Sequence, residues 1–299
     1  MNSQKLIEQL SGIFAPVSTP FADNETVDLA ALRFNIEHYA QTEIRGYVAL
    51  GSNGENKSLT EEEKRDVLGT VIRGRGQNQI VIAGAIYEAQ RDTERFLKLA
   101  ADMGADFGLV LSPSYFKRQM TEDVLHRYFA TVADTSPVPL LLYNAPGFSG
   151  ITLSPELVQC LAVHPNIVGM KDSARSGIEA FLRSSGDTFR VMAGSINFLF
   201  PAMMAGAIGG TVSLANSFPH IAVELYNCGA AQDGKGGEVL QEKACRINKG
   251  ISGTYGVPGV KAAMNLAGLR GGIPRRPLLP LNEAQIAELR DFLVKERLL

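Results

Sequence analysis

The segment Ile167-Val168-Gly169-Met170-Lys171 is a short apolar run that ends in a lysine. One repeat earlier, Pro139-Leu140-Leu141-Leu142-Tyr143 has the same form and ends in a tyrosine. Both runs are continuously apolar rather than alternating, which is typical of parallel strands covered on both faces. The two segments therefore predict neighbouring buried strands, each with a reactive side chain at its carboxyl end.

The same pattern of an apolar run, a polar turn and a helical stretch occurs eight times along the chain. Eight such units predict an α/β fold, a closed (β/α)8 TIM barrel. An open doubly wound sheet is the alternative, but no Gly-x-Gly-x-x-Gly sequence follows the first strand. The six other predicted strands lie at residues 13–17, 46–50, 80–84, 107–111, 190–194 and 210–214.

Helix boundaries are also visible in the sequence. Thr60 and Glu63 have the spacing of a capping box, Ser154-Pro155 is typical of a helix start, and Gly104 of a helix end. Beyond residue 214, helical patterns continue at residues 220–230, 237–249, 259–267 and 282–297, more than a bare barrel needs. We predict a barrel catalytic domain at residues 1–225 and a C-terminal helical domain at residues 226–299.

Bulk composition excludes several classes of protein. The net charge of −2, without long runs of one sign, argues against nucleic-acid binding and against an anionic membrane. The three cysteines have unrelated spacings, which favours a reducing cytoplasm over a disulfide framework or a zinc site. The four histidines form no His-x-x-x-His pair, so no metal is expected. The first residues lack the apolar core of a signal peptide.

Lys171 and Tyr143 together suggest carbonyl chemistry. Burial disfavours the charged form of a lysine, and an uncharged amine can attack a ketone to form an imine. A phenol one strand away can move the protons. Alternatively, Lys171 extends from its strand end to solvent and Tyr143 only packs, which are the commoner fates of such residues.

The other strand ends supply further candidates. Gly51-Ser52-Asn53-Gly54-Glu55 offers hydroxyl and backbone N–H donors for a carboxylate, although it also fits an ordinary turn. Tyr115 follows the fourth strand and is a candidate lid, proton relay or subunit contact, or simply a surface aromatic. The cations Lys117, Arg118 and Arg175 flank these loops, where charged residues are usually only solvated.

Taken together in this order, three motifs resemble the dihydrodipicolinate synthase / N-acetylneuraminate lyase family of Schiff-base pyruvate aldolases. They are Gly51-Ser-Asn-Gly-Glu55, Leu142-Tyr-Asn-Ala-Pro146 and Ile167-Val-Gly-Met-Lys-Asp-Ser173. The resemblance covers nearly the whole chain. It implies a barrel with a C-terminal helical domain, commonly a homotetramer built as a dimer of dimers, that acts on pyruvate and an aldehyde without a cofactor.

The resemblance also implies roles for individual residues. Lys171 would form the imine, Tyr143 would shuttle protons, and Gly51, Ser52 and Asn53 would hold the pyruvyl carboxylate. Tyr115 would extend across a subunit interface and complete the proton relay in the active site of the neighbouring subunit. The remaining expected substrate-binding positions are Ser173, Gly194, Val212 and Phe148.

The sequence motifs identify the subfamily less specifically than they identify the family. Dihydrodipicolinate synthases have an arginine where Phe148 stands, and a phenyl ring cannot bind a carboxylate bidentately. They also usually have two threonines in place of Ser52-Asn53. The chain is more similar to 4-hydroxy-2-oxoglutarate aldolase, in His164-Pro-Asn-Ile-Val-Gly-Met-Lys-Asp-Ser173 and Tyr255-Gly-Val-Pro-Gly-Val-Lys261. Phe148 departs from that subfamily too, which leaves open a substrate whose far end is less acidic than a second carboxylate.

These features predict a lyase that cleaves a 4-hydroxy-2-oxo acid to pyruvate and an aldehyde, most like 4-hydroxy-2-oxoglutarate aldolase. Within enzymes, the alternatives are dihydrodipicolinate synthase and a 2-keto-3-deoxy sugar-acid aldolase or dehydratase. Outside enzymes, the alternative is a barrel that binds an oxo acid without turnover.

Overall fold

The protein is described by a computed structural model that covers residues 9–174, 176–184, 186 and 188–299. Within this part of the chain, eight parallel strands pair in sequence order, and the last pairs with the first to close a barrel. The predicted (β/α)8 architecture is confirmed. The strands are β1 (Gly12–Pro16), β2 (Gly46–Ala49), β3 (Ile80–Ala85), β4 (Phe107–Leu111), β5 (Leu140–Asn144), β6 (Ile167–Asp172), β7 (Arg190–Ala193) and β8 (Gly209–Thr211).

Helices follow each strand and continue beyond the barrel. In the described residues they are α1 (Leu29–Tyr39), α2 (Glu61–Gly74), α3 (Gln90–Met103), α4 (Glu122–Thr135), α5 (Pro146–Ser149), α6 (Pro155–Ala162), α7 (Ile178–Ser184), α8 (Leu199–Met204), α9 (Pro219–Ala230), α10 (Gly234–Asn248), α11 (Thr254–Leu266) and α12 (Glu283–Lys295). Short 3-10 turns lie at Ser52–Gly54, Asn56–Ser58, Lys117–Gln119, Ile196–Phe198 and Ser213–Asn216, and a π turn lies at Lys249–Gly253.

Local sequence chemistry explains several helix boundaries. The capping box before α2 is present, with Thr60 N donating to Glu63 Oε2 over 2.9 Å and Glu63 N donating to Thr60 Oγ1 over 3.2 Å. Ser154 Oγ accepts from Leu157 N at the start of α6. Gly104 ends α3 with a φ of 100°, in the left-handed region that favours glycine.

Two layers of apolar side chains cover the strands. One cluster fills the space between strands and helices, and the other lies inside the barrel. Neighbouring positions on a strand alternate between them: Leu140 and Leu142 belong to the outer cluster, whereas Leu141 and Tyr143 belong to the inner one. This alternation directs Tyr143 into the barrel.

The C-terminal helices pack against the barrel at its carboxyl end. Helix α11 contacts the turn that follows β8, and α10 contacts the turn that follows β7. Helix α9 runs continuously across the predicted division at residues 225/226, and that division stays a prediction. Within the described residues, every helix is too short or too polar to cross a membrane.

Candidate active site

Lys171 and Tyr143 lie side by side inside the barrel. The register of β5 and β6 pairs these two residues, and the Lys171 Nζ lies 3.4 Å from the Tyr143 hydroxyl oxygen. The same nitrogen stands 4.4 Å from the centre of the tyrosine ring. Both are buried, at 4% and 2% exposure, so the alternative of a lysine reaching bulk solvent is wrong. Their predicted adjacency is present, while their catalytic roles stay predictions.

The surroundings of Tyr143 lower the pKa of its hydroxyl. Burial alone raises the pKa of Tyr143, because the phenolate loses solvation. The opposing influences are the charge of Lys171, followed by hydrogen bonds with Ser52, Lys171 and Ser173, and together they lower the pKa below that of a free tyrosine. A phenol with a lowered pKa is a stronger proton donor than a free tyrosine.

The turn after β2 reaches this pair. Ser52 Oγ lies 3.4 Å from the Tyr143 hydroxyl, at the start of the 3-10 turn Ser52–Gly54. No acceptor among the described residues lies within hydrogen-bond range of the backbone N–H groups of Ser52 and Asn53. The two N–H groups and the Ser52 hydroxyl are therefore available to bind a carboxylate, as the sequence predicts for Gly51, Ser52 and Asn53.

Ser173 and Gly194 directly follow β6 and β7 and lie against each other at the carboxyl end of the barrel. Gly194 N donates to Asp172 O over 2.6 Å. A Cβ atom on Gly194 would lie 2.0 Å from Ser173 Oγ and 2.6 Å from Asp172 O. Because the second of these is a backbone atom, no side chain fits at position 194 without moving the strand that carries Lys171. Glycine is thus required where the sequence places a substrate-binding residue.

Thr211 ends β8 and Val212 follows it, and their side chains have opposite orientations. Val212 belongs to the cluster between strands and helices. Thr211 pairs with Phe14 of the inner cluster, and its buried hydroxyl has no hydrogen-bond partner among the described residues. Strand alternation therefore places the inward-facing side chain at Thr211, and the predicted substrate-binding role of Val212 stays a prediction.

Tyr115 is not brought to the Lys171–Tyr143 pair within one chain. It is 81% exposed, its ring packs edge-on against Phe116, and its backbone N–H donates to Glu88 Oε2 over 2.9 Å. Its predicted role across a subunit interface stays a prediction. Arg175, one of the flanking cations, lies outside the described residues.

A cavity of about 470 Å³ opens at the barrel mouth next to Ser52. Phe148 is part of its wall and is 67% exposed, and its predicted contact with substrate stays a prediction. The other residues that line it are Glu55, Asn56, Lys57, Ser58, Ile86, Leu111, Ser114, Tyr255, Gly256, Val257, Pro258 and Leu278.

An outward-facing pair that sequence analysis missed holds the two reactive strands together. Asn144 and Asp172 are register partners, one position beyond Tyr143 and Lys171, and Asn144 Nδ2 donates to Asp172 Oδ1 over 2.7 Å. Burial raises the pKa of Asp172. The hydrogen bond fixes the relative position of the two strand ends, and with it the distance between the two inward side chains.

A buried ion pair joins the Ser52 turn to the C-terminal helices, and sequence analysis also missed it. Lys261 Nζ in α11 lies 2.6 Å from Glu55 Oε1, with both side chains almost fully buried. The same ammonium donates to the carbonyls of Thr19 and Ile273, each over 2.7 Å. Burial lowers the pKa of Lys261 to about 8, against the opposing charge of Glu55. The extension thereby anchors the turn that presents Ser52.

Replacing Lys261 with methionine is expected to lower the free energy of unfolding by about 3–5 kcal/mol, because the Glu55 carboxylate stays buried without its cation. Lys64→Met is the matched control. Lys64 pairs with Glu61 over 2.8 Å, but Glu61 is half exposed, so its loss should cost no more than about 1 kcal/mol. Urea denaturation of both variants measures the difference, and equal costs would contradict an anchoring role.

Comparison with known proteins agrees with this geometry. A family model described as the dihydrodipicolinate synthetase family matches residues 9–296. The chain is 32% identical over 296 residues to "L-threo-3-deoxy-hexylosonate aldolase" of Hypocrea jecorina, which covers 94% of each chain. It is also 32% identical over 291 residues to "Probable 4-hydroxy-2-oxoglutarate aldolase, mitochondrial" of Emericella nidulans, with 94% of this chain and 93% of the relative covered.

A solved structure with the same fold contains pyruvate. It is YagE, a prophage protein of the dihydrodipicolinic acid synthase family from E. coli K12, in complex with pyruvate. The TM-score is 0.90 at 27% identity, with 97% of this chain and 99% of that chain covered. Dihydrodipicolinate synthase from Aquifex aeolicus superposes with a TM-score of 0.88 at 26% identity, over 96% and 98% of the two chains.

Proposed function

Because the chain belongs to the dihydrodipicolinate synthetase family, we propose that it is a Schiff-base lyase that splits a 4-hydroxy-2-oxo acid into pyruvate and an aldehyde. One observation carries the proposal: a buried amine, Lys171 Nζ, lies 3.4 Å from a buried phenol, Tyr143. Amine and phenol are the nucleophile and the proton carrier that imine chemistry needs.

The first stage joins substrate to enzyme. The uncharged Lys171 amine attacks the C2 ketone to give a carbinolamine, and Tyr143 moves a proton to the departing hydroxyl. Water leaves and an iminium ion forms, with its positive charge on the lysine nitrogen. The substrate C1 carboxylate binds next to Ser52 and Asn53. The backbone N–H groups of these two residues have no other acceptor among the described residues and donate hydrogen bonds to it.

The second stage breaks the carbon–carbon bond. The C4 hydroxyl loses its proton to Tyr143, the C3–C4 bond breaks, and the aldehyde leaves. The bonding electrons move into the iminium, which becomes an enamine. C3 then takes up a proton, and water hydrolyses the resulting imine to release pyruvate and the free amine. The sequence involves no net oxidation, and the lysine itself serves as the electron sink.

Relatives suggest two substrates to test first. The names of the Emericella nidulans and Hypocrea jecorina relatives give 4-hydroxy-2-oxoglutarate and a 3-deoxy hexulosonate, and both contain a 4-hydroxy-2-oxo acid. Dihydrodipicolinate synthase is the second candidate, since the relative from Methanothrix thermoacetophila, 32% identical over 290 residues, carries that name. Phe148 in place of an arginine argues against it.

Several finer properties are part of the proposal. We expect a homotetramer built as a dimer of dimers, in which Tyr115 completes the proton relay of a neighbouring subunit. Its exposure of 81% supports a contact outside its own chain. We expect a cytoplasmic location, although one relative is described as mitochondrial.

The proposal is tested by trapping the imine. Incubation with pyruvate and borohydride should reduce the imine to a stable secondary amine, and peptide mass spectrometry should place the added mass on Lys171. Pyruvate release from 4-hydroxy-2-oxoglutarate and from the 3-deoxy hexulosonate then measures turnover. Binding and trapping without turnover would indicate a barrel that only holds an oxo acid, and no adduct on Lys171 would overturn the mechanism.

A further inference from the structure

The turn proposed to bind the substrate carboxylate, residues 50–55, has a strained backbone and is called the carboxylate turn below. Its first and last residues, Leu50 and Glu55, both have left-handed conformations, with φ of 59° and 52°. Residues other than glycine rarely adopt this region, and they persist there only where the surroundings hold them. The N–H groups of Ser52 and Asn53 lie between these two positions. Their direction therefore depends on contacts that fix the turn from outside.

Lys261 supplies two of these contacts with a single ammonium group. Its Nζ lies 2.6 Å from Glu55 Oε1, at the end of the carboxylate turn. It also donates to Thr19 O over 2.7 Å, and Thr19 Oγ1 donates to Gly54 O over 2.8 Å. A third oxygen, the carbonyl of Ile273, accepts from the same nitrogen over 2.7 Å. One buried cation therefore fixes the carboxylate turn at its last two residues.

Close packing leaves the carboxylate turn little room to move independently. A Cβ atom on Gly54 would lie 2.9 Å from the carbonyl oxygen of Val17, so the turn rests directly on the backbone that follows β1. The second oxygen of the Glu55 carboxylate accepts from Arg275 N over 2.9 Å. Because the turn and the carboxylate are both held, a change at Lys261 Nζ reaches the backbone of the turn rather than being absorbed by a loose side chain.

This arrangement needs the charged form of Lys261. Three oxygens contact the nitrogen and one belongs to a carboxylate, whereas a neutral amine has two N–H groups and no charge. Burial lowers the pKa of Lys261 to about 8, against the opposing charge of Glu55. The neighbouring cations are Arg275, which pairs with Glu63, and Arg290 of α12, which lines a cavity next to Lys261. Arginines stay protonated, so a rise in pH removes the charge of the lysine and leaves theirs.

We propose that Lys261 is a positioning residue for the substrate carboxylate: its ammonium, acting through Glu55 and Thr19, holds the carboxylate turn in the conformation that binds the anion. The proposal rests on the proposed lyase function and deepens it. It goes beyond stability, because it makes affinity for the C1 carboxylate depend on a cation from the C-terminal helices. Imine formation at Lys171 does not depend on that cation.

A pair of ligands separates carboxylate binding from imine chemistry. Pyruvate and pyruvamide both carry the ketone that forms an imine with Lys171, but only pyruvate has a C1 carboxylate. The concentration that gives half-maximal borohydride trapping is measured for each ligand, and the ratio of the two concentrations is the carboxylate preference. Effects of the protonation of Lys171 and Tyr143 on trapping cancel in this ratio. The unaltered protein should prefer pyruvate by about 10-fold or more, because charge-assisted hydrogen bonds are the stronger ones.

The pH dependence of the carboxylate preference tests the proposal on the unaltered protein. A rise from about pH 6.5 to about pH 9.5 neutralises most of Lys261 and should lower the preference by about 10-fold. Folding lowers the pKa of this lysine from 10.5 to about 8, so between these values the unfolded chain binds more protons and the lysine's contribution to the free energy of unfolding rises with pH. A purely structural role therefore predicts no such loss, and a constant preference over this range would overturn the proposal.

Lys261→Met tests the same point at constant pH. The variant removes the ammonium and keeps an apolar stem, so the carboxylate preference should fall by about 10-fold, while trapping at saturating pyruvamide stays within about 3-fold of the unaltered protein. Lys64→Met, which removes the partner of the half-exposed Glu61, is the matched control and should keep the full preference. If Lys261→Met does not fold, the pH series on the unaltered protein decides the question.

Failure of this inference is distinguishable from failure of the lyase itself. If pyruvate gives no adduct on Lys171 in the unaltered protein, the lyase is wrong. If the adduct forms but the carboxylate preference changes neither with pH nor in Lys261→Met, the lyase stands and Lys261 contributes only stability. A preference that falls in both experiments, with trapping of pyruvamide intact, supports the positioning role.

Discussion

Replacing Lys171 with alanine is expected to reduce turnover by at least about 10⁴-fold, because the reaction loses its nucleophile and its electron sink together. The neighbouring Tyr143 cannot substitute, since a phenol forms no iminium with a ketone. Lys171 has no carboxylate in ion-pair range among the described residues, so its removal leaves no unpaired buried charge. The variant should therefore fold, and steady-state kinetics with 4-hydroxy-2-oxo acids report the chemistry rather than the stability.

A second substitution at this position separates charge from nucleophilicity. Lys171→Arg keeps a cation beside Tyr143 but has no free amine at any working pH, so it should be as inactive as Lys171→Ala. Lys295→Ala, at an exposed position in α12, is the matched control and should retain full activity. Turnover within 10-fold of the unaltered protein in Lys171→Arg would show that the lysine acts only as a charge.

Much of the fold was predictable because each strand is a continuous apolar run. Burial on both faces favours apolar residues along most of each strand, so the strand of most units is visible in the sequence without its partner. The predicted strand at residues 107–111 coincides with β4. The last strand was harder. The structure has β8 at Gly209–Thr211, whereas the prediction was residues 210–214, because Val212 and Leu214 continue the apolar pattern beyond the strand.

The reactive pair was also predictable, and for a topological reason. In a barrel, the carboxyl ends of consecutive strands are neighbours, so Tyr143 and Lys171 had to meet if both ended their strands at one level. The register of β5 and β6 places them at the same level. The direction of each side chain was harder to predict from the sequence. An error of one residue in the strand register exchanges the positions that face the barrel interior with those that face the helices, as for Thr211 and Val212.

Contacts between distant segments could not be predicted from one sequence. Lys261 and Glu55 are separated by about two thirds of the chain, and nothing local marks either as the partner of the other. Their pairing depends on where α11 packs at the barrel mouth, which periodicity does not determine.

Tyr143→Phe is expected to lower kcat by about 10²–10⁴-fold, the usual contribution of a positioned acid–base group. The ring that lies under Lys171 Nζ at 4.4 Å remains, so packing around the lysine is preserved. Borohydride should still trap a pyruvate adduct on Lys171, although more slowly. Because its neighbours lower the pKa of Tyr143, the hydroxyl loses its proton at a lower pH than a free tyrosine. The basic limb of the pH–rate profile should therefore disappear in the variant.

The control for this variant is Tyr128→Phe. Tyr128 is also buried, and its hydroxyl lies 3.0 Å from Thr93 Oγ1, remote from the barrel interior. Both variants lose one buried hydroxyl with one or more hydrogen bonds, so their losses of stability should be similar, at about 1 kcal/mol. A fall in kcat confined to Tyr143→Phe must then come from proton transfer. Equal activities in the two variants would mean that Tyr143 only packs, and that another group carries the protons to and from the substrate held on Lys171.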